Sequence, residues 1–476
     1  MDRAQNEKLK NETKELEKRL KFQGKLSWDR LEEREKEETF RFAEGYKAFL
    51  DRAKTEREAV QEIARAAKEA GFEEGSQRKD GRKYFFVNKD KSIALAIMGP
   101  APMPEGLRIV VSHIDSPRVD LKQNPLYEEA DMALLRTHYY GGIKKYQWVT
   151  IPLSLHGLVV KSDGSTLNIR IGEEMDDPVF VINDLLPHLS GKTQDQKKLA
   201  EAIEGEKLTV LAGSLPFPDA EAKERIKLRV MELLNQKYGL VEEDFISAEL
   251  ELVPAMKARD VGFDRSLVGS YGQDDRASAY TSLQAILSLQ DPPRTVIVLF
   301  VDKEEIGSEG NTGAKSLFLE SIIRHLIERS GLAVTEGLLK EILGNSKALS
   351  ADVGSALDPN YPEVHEKQNA GKIGYGVCLE KFTGSRGKVA ASDARAEYVG
   401  EIRRIFNAHN VAWQMTELGK VDEGGGGTVA KYLAVYGMDI IDCGAPVLSM
   451  HSPFEVASKA DIYEAYKAYR AFLSSP

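Results

Sequence analysis

The chain has 476 residues, of which 42% are hydrophobic, and a formal net charge of -10. That length suits two domains rather than one, and an acidic balance with no basic stripe argues against a nucleic-acid partner. No apolar run approaches the roughly 18 residues needed to cross a bilayer, and the densely charged residues 1–25 lack the apolar core of a signal segment, so a soluble cytoplasmic protein with no membrane partner is expected.

Residues 1–70 read as helical. The first 25 form a Lys/Glu-rich arm, either a solvated helix or a tail. Phe42, Tyr46, Phe49 and Leu50 then recur at helical spacing as core positions. Strands are expected at 93–98 and 107–111, the second running out at Ser112-His113. From about Tyr139 to Pro254 the pattern turns β-like, with strands at 148–151, 155–160, 167–171 and 208–211. Polar turns such as Ser162-Asp163-Gly164-Ser165 separate these runs. The charged stretch 219–238 reads as a helix. From Gly269 onward the two element types alternate: helix 277–289, strand 295–301, helices 314–329 and 396–409, strand 438–442, and a last helix from Lys459. Such alternation predicts a layered α/β domain with a largely parallel sheet. The β-rich middle then reads as an insertion, which divides the chain into 1–120, 121–260 and 261–476. Cys378 and Cys443 stand among apolar residues and read as buried thiols.

Metal-type ligands recur where these strands end. Glu304 and Glu305 follow the apolar run 295–300. Adjacent side chains leave the backbone in different directions, so one carboxylate is available to a metal and the other to a proton. His113-Ile114-Asp115 follows the 107–111 run, a spacing at which a carboxylate orients a metal-binding imidazole. Asp274-Asp275-Arg276 precedes a helix rich in small residues, where a carboxylate can cap the helix or bridge two cations. Asp352 lies among small residues, and Ser449-Met450-His451 follows Val447-Leu448. Taken singly, each is an ordinary turn or cap residue. Together they supply two His and three carboxylates at strand ends, the place where open α/β sheets collect ligands, and the set suits a pair of divalent ions.

These segments, Ser112 to Arg118, Asp274 to Arg276, Asp302 to Ser308, Ser350 to Asp352 and Met450 to Ser452, occur in an order that resembles the M18 metalloaminopeptidases, the aspartyl aminopeptidase and aminopeptidase I group. The resemblance runs over nearly the whole chain. It implies a zinc-peptidase α/β/α sandwich interrupted by a β-rich dimerisation domain, assembled as a dodecamer built from dimers and acting on peptides. It places His113, Asp352 and a bridging Asp274 on one metal, and Asp274, Glu305 and His451 on the other. Glu304 becomes the general base and Asp115 the carboxylate that orients His113. Zn suits the mixed ligands, with Co or Mn able to use the same set. Asp275 stands where relatives often carry Asn and adds negative charge.

Substrate-binding expectations rest on fewer residues. The segment 151–156 resembles one that sends a His, here His156, into a neighbouring subunit's site. The glycine run 424–427 with Thr428 would let backbone approach substrate closely, through Gly427 and Thr428. Acid-preferring relatives place Lys where this chain has Glu380, followed by Lys381. A pocket-facing Glu380 favours neutral or basic N-terminal residues, whereas a one-residue register slip would present Lys381 and restore acid preference. Competing readings are a di-metal deacylase or carboxypeptidase on the same ligands, and a non-catalytic scaffold, which would need a broken ligand set.

Overall fold

The computed structural model describes residues 3–21, 24–75 and 81–476. Its centre is a nine-stranded sheet whose middle strands lie in the order Val296–Val301, Arg108–His113, Lys347–Ser350 and Asp439–Gly444, all parallel. Antiparallel strands flank them, Ser92–Ile97 on one side and Val377–Glu380 on the other. Every residue of Val296–Val301 and Arg108–His113 is buried, which is why the first reads as a continuous apolar run and the second keeps an unbroken Ile109-Val110-Val111 at its centre.

Alternation reappears in what each side chain meets. Val296, Val298 and Phe300 join one core with Val110 of the neighbouring strand and with Tyr46, Ile63, Leu283 and Phe472, from helices Glu33–Arg52, Glu56–Glu69, Gln273–Leu287 and Lys459–Leu473. Ile297, Leu299 and Val301 join a second core on the opposite face with Ile322, Leu326, Leu339 and Leu343, from helices Phe318–Arg329 and Glu336–Asn345. Two apolar faces covered by helices make an α/β/α sandwich, the layered α/β arrangement that the alternation of elements predicted and the sandwich that the resemblance implied.

A separate seven-stranded antiparallel sheet is built from residues 118–254. Its own core holds Trp148, Leu155, Ile169, Phe245 and Leu252. Its longest ladder pairs Arg118–Glu129 with Met132–Tyr140, a hairpin that periodicity missed. The register shifts between Leu121 and Leu126, across Lys122-Gln123-Asn124-Pro125, so the alternation breaks in mid-strand. A third sheet of five short strands includes Pro446–Leu448 and Glu455–Ser458, whose connection carries His451.

Some expected elements differ. Residues 148–151 form a turn, because Trp148 is anchored inside the second sheet's core with its ring edge-on to Tyr271. The helix expected over 219–238 begins only at Arg225, and that expected over 314–329 begins at Phe318. In the N-terminal arm, Arg3–Leu20 is a helix with almost every described side chain exposed. Among the described residues no helix is long and apolar enough to cross a membrane.

Candidate metal centre

The parallel strands deliver their last residues to one edge of the sheet. His113 closes its strand and pairs in register with Val301; Glu304 and Glu305 form a 3-10 turn just beyond Val301. That turn is bounded by Lys303 at φ 67° and Gly307 at φ 98°, a reversal that brings both carboxylates back over the sheet edge. Asp352 lies two residues past strand Lys347–Ser350. Asp274 lies in the first turn of helix Gln273–Leu287, where its backbone is not helical and its peptide to Asp275 is cis. His451 is set at φ 66° in the turn of the third sheet.

Asp274 stands between the two imidazoles. Its Oδ1 is 3.1 Å from His113 Nε2, and its Oδ2 is 3.1 Å from His451 Nε2. Asp352 Oδ1 lies 3.7 Å from His113 Nε2, and Glu305 Oε2 lies 3.4 Å from His451 Nε2. The candidate ligand atoms of His113, Asp274 and Glu305 fall within 4.8 Å of one another, and so do those of His113, Asp275 and Asp352. Asp275 therefore sits closer to the centre than a mere background charge would.

The donor set fits divalent cations. Glu305 Oε1 and Asp275 Oδ2 are buried without a hydrogen-bond partner, an arrangement costly for a carboxylate unless a cation takes the free oxygen. Burial, reinforced by neighbouring carboxylates, pushes Glu305 and Asp275 well above the carboxylate range and Glu304 up to about 8. Burial alone would raise Asp274 too, but hydrogen bonds to His113 and His451 outweigh it and hold Asp274 low. His451 is pushed up to about 10 against the effect of burial, chiefly by Asp274 and then Glu305. The same upward shifts mark where positive charge is favoured, and metal binding would release those protons.

The two adjacent glutamates face different neighbours. His113 and Asp352 bear on Glu304, whereas Asp274 and His451 bear most on Glu305. Asp115 is fully buried, with Oδ1 3.3 Å from His113 Nδ1. It accepts the backbone N–H groups of Glu304 and Glu305 at 3.1 and 3.2 Å and the Tyr140 hydroxyl at 2.8 Å.

Glu455 escaped the sequence reading. It is buried, and its two oxygens accept the backbone N–H of Asp274 at 3.0 Å and of His451 at 2.7 Å. Nothing in the sequence marks it beyond its nearness to His451, four positions before it.

These features match known proteins. The model of the aminopeptidase I zinc metalloprotease (M18) family matches residues 49–473. The chain belongs to the M18 family. A probable M18 family aminopeptidase 1 of Clostridium acetobutylicum is 49% identical over 458 residues, covering 95% of this chain and 98% of the relative. A Thermotoga maritima protein of the same description is 48% identical over 457 residues, covering 95% and 99%. The crystal structure of an M18 aminopeptidase from Thermotoga maritima superposes with a TM-score of 0.92 at 47% identity, covering 96% of this chain and 100% of that one. As an M18 member the chain is a peptidase of the aminopeptidase type, in a zinc metalloprotease family.

Other sequence-selected residues fall outside the M18 ligand cluster. Glu380 closes strand Val377–Glu380, with Asp442 as its partner across the ladder, so both side chains share a face. Its carboxyl accepts from Thr416 at 3.5 Å, and its Oε1 would lie 3.4 Å from a Cβ at Gly354, two residues from Asp352. Burial, then Asp442 and Asp352, pushes Glu380 up to about 8. Alternation sends Lys381 away from that face. The glycine run serves the chain itself: a Cβ at Gly425 would sit 2.0 Å from the Gly384 carbonyl oxygen, and one at Gly427 would meet Lys431. Thr428 has a buried hydroxyl alongside Asp442.

His156 overturns its expectation. It is fully buried within its own chain, with Nδ1 2.8 Å from Glu58 and Nε2 3.1 Å from Glu173. A side chain enclosed in that way does not extend into a neighbour's site. Lys54 and Lys257 also pair with Glu173, at 2.7 and 2.6 Å, and Arg170 lies 3.7 Å from Glu58. His156 thus fastens the second sheet to helix Glu56–Glu69. Burial lowers its pKa, but Glu173 and Glu58 outweigh burial and the net shift is upward. A raised pKa stabilises the fold fully below the ordinary value of 6.5 and loses that contribution as pH rises through the folded value. His156→Gln is expected to cost about 2 kcal/mol below pH 6.5, with the deficit shrinking toward alkaline pH. Thermal unfolding of both proteins across pH checks this; a deficit that grows with pH would contradict it.

Proposed function

We propose that this chain is a co-catalytic two-metal aminopeptidase in which Glu304 is the general base and neutral or basic N-terminal residues are preferred. The observation that carries the reading is Asp274, with one oxygen 3.1 Å from each imidazole. One cation would be held by His113, Asp352 and Asp274, the other by Asp274, Glu305 and His451, with Asp275 close enough to the first to strengthen it. Divalent ions there, zinc by family and Co or Mn by ligand type, supply Lewis-acid polarisation of the scissile carbonyl and make water more acidic. Glu304 takes the proton from the attacking water and passes it to the leaving amine nitrogen. Asp115 holds His113 so that Nε2 faces the ligands.

Glu304→Gln keeps shape while removing the base. It is expected to lower kcat on the order of a thousandfold while metal content by elemental analysis stays at the wild-type level. Undiminished turnover would refute the assignment. N-acetylated peptides are expected to be inert, which separates this reading from a deacylase or carboxypeptidase.

Side-chain preference follows from Glu380. Facing Asp442 and the Asp352 segment, it offers an acidic side chain no cation to pair with, whereas a cationic side chain would favour its ionised form and pair with it. Across a panel of aminoacyl substrates, Asp and Glu are expected to be the poorest, and Glu380→Lys is expected to raise kcat/KM for them at least tenfold, about 1.4 kcal/mol. Strong hydrolysis of acidic substrates by the unaltered enzyme would reject this preference.

We also read the working form as a homo-oligomer in the cytoplasm. A Saccharomyces cerevisiae mApe1 of the same fold, 21% identical with a TM-score of 0.72, is a dodecamer. Exposed Leu185, Leu186, Leu189 and Leu199 offer an assembly apolar surface to bury. Two buried free thiols suit a reducing compartment.

A further inference from the structure

Three consecutive residues of the second sheet reach three different members of the metal centre. Tyr140 ends strand Met132–Tyr140, and its hydroxyl donates to Asp115 Oδ2 at 2.8 Å. Asp115 in turn lies against His113 Nδ1, with its backbone carbonyl oxygen at 3.0 Å and its Oδ1 at 3.3 Å. Gly141, at φ +74°, passes so close to Glu305 that a Cβ there would lie 3.3 Å from its Cβ and 3.4 Å from its Oε2. The carbonyl of Gly142 lies 3.1 Å from His451 Nδ1. A carbonyl only accepts, so Nδ1 carries a hydrogen, and Nε2, which faces Asp274 and Glu305, is the nitrogen left to bind a cation in place of its own proton.

The segment is itself braced. The Arg118 guanidinium stacks 3.9 Å from the Tyr140 ring centroid, and Arg118 and Tyr140 are ladder partners. Asp120, Glu251 and Glu56 hold that guanidinium at 2.8, 3.3 and 3.4 Å. Glu56 lies on helix Glu56–Glu69 of the sandwich, Glu251 on the second sheet. The ring therefore cannot swing away from Asp115 without giving up its stacking on a guanidinium that three carboxylates hold in place.

We propose that Tyr140-Gly141-Gly142 is a positioning segment through which the second sheet sets the metal affinity of the centre, orienting His113 by way of Asp115, leaving room for Glu305, and fixing the tautomer of His451. The inference rests on the two-metal reading given above. None of the three residues touches the reacting atoms. Their effect is on how well the ligands are pre-arranged, and outer partners of metal-binding His residues typically govern 10–100-fold in affinity.

The test uses the full-length enzyme and measures zinc dissociation by competition with a chromophoric chelator, with cobalt(II) absorption as a report on ligand geometry. Tyr140→Phe removes only the hydroxyl and keeps the ring on Arg118. It is expected to weaken zinc binding about 10–100-fold, alter the cobalt spectrum, and recover most of kcat at saturating zinc with KM unchanged. Gly141→Ala is expected to weaken zinc binding through Glu305. His138→Ala, an exposed position on the same strand, is expected to change neither. Zinc affinity of Tyr140→Phe within twofold of the parent overturns the inference even if Gly141→Ala fails to fold. A parent enzyme that binds no stoichiometric zinc overturns the two-metal reading and this inference together, whereas failure of the inference alone leaves the parent's binding intact.

Discussion

Asp274 presents one carboxylate oxygen to His113 and the other to His451, at 3.1 Å each, with Glu305 and Asp352 close behind the same two imidazoles. Carboxylates packed this densely and this deeply repel one another, and burial removes the water that would screen them. The arrangement is stable only with positive charge between them, whether protons or cations. Everything nearby works to keep these groups from relaxing apart.

The means is backbone anchoring rather than side-chain contact. Asp115 grips the amides of Glu304 and Glu305, and Glu455 grips those of Asp274 and His451. Each anchor is itself buried, so the ligands are fixed at their Cα positions and keep little freedom to drift. The three sheets meet here: the sandwich supplies His113, Glu304, Glu305 and Asp352, the third sheet's turn supplies His451, and the second sheet closes the flank with Tyr140-Gly141-Gly142. Separating the sheets would dismantle the centre, which makes buried ion networks such as those around His156 and Arg118 part of the functional architecture.

Legibility in the sequence follows burial. Val296–Val301 and Arg108–His113 are covered on both faces, so Val296–Val301 and the central Ile109-Val110-Val111 are marked by hydrophobicity alone, and their ends point to the candidate ligands. The hairpin of Arg118–Glu129 and Met132–Tyr140 was invisible because a shifted register and polar residues 122–125 interrupt its period. Glu455 and Tyr140 were missed for a related reason: they act on backbone amides or on another carboxylate, and no residue spacing encodes such a partner.

The chain by itself determined the layered α/β class and which His and carboxylate residues stand near strand ends, because both depend on local pattern: apolar runs set the strands, and the residues that follow each run are read directly. Direction was left to tertiary structure. Whether Glu380 or Lys381 faces the centre depends on the ladder with Asp439–Gly444, which puts Glu380 beside Asp442. Whether His156 reaches outward depends on Glu58 and Glu173, 98 and 17 residues away along the chain, which enclose it. A side chain's chemistry is local, but the face it points to and the groups it meets are fixed by partners distant in sequence.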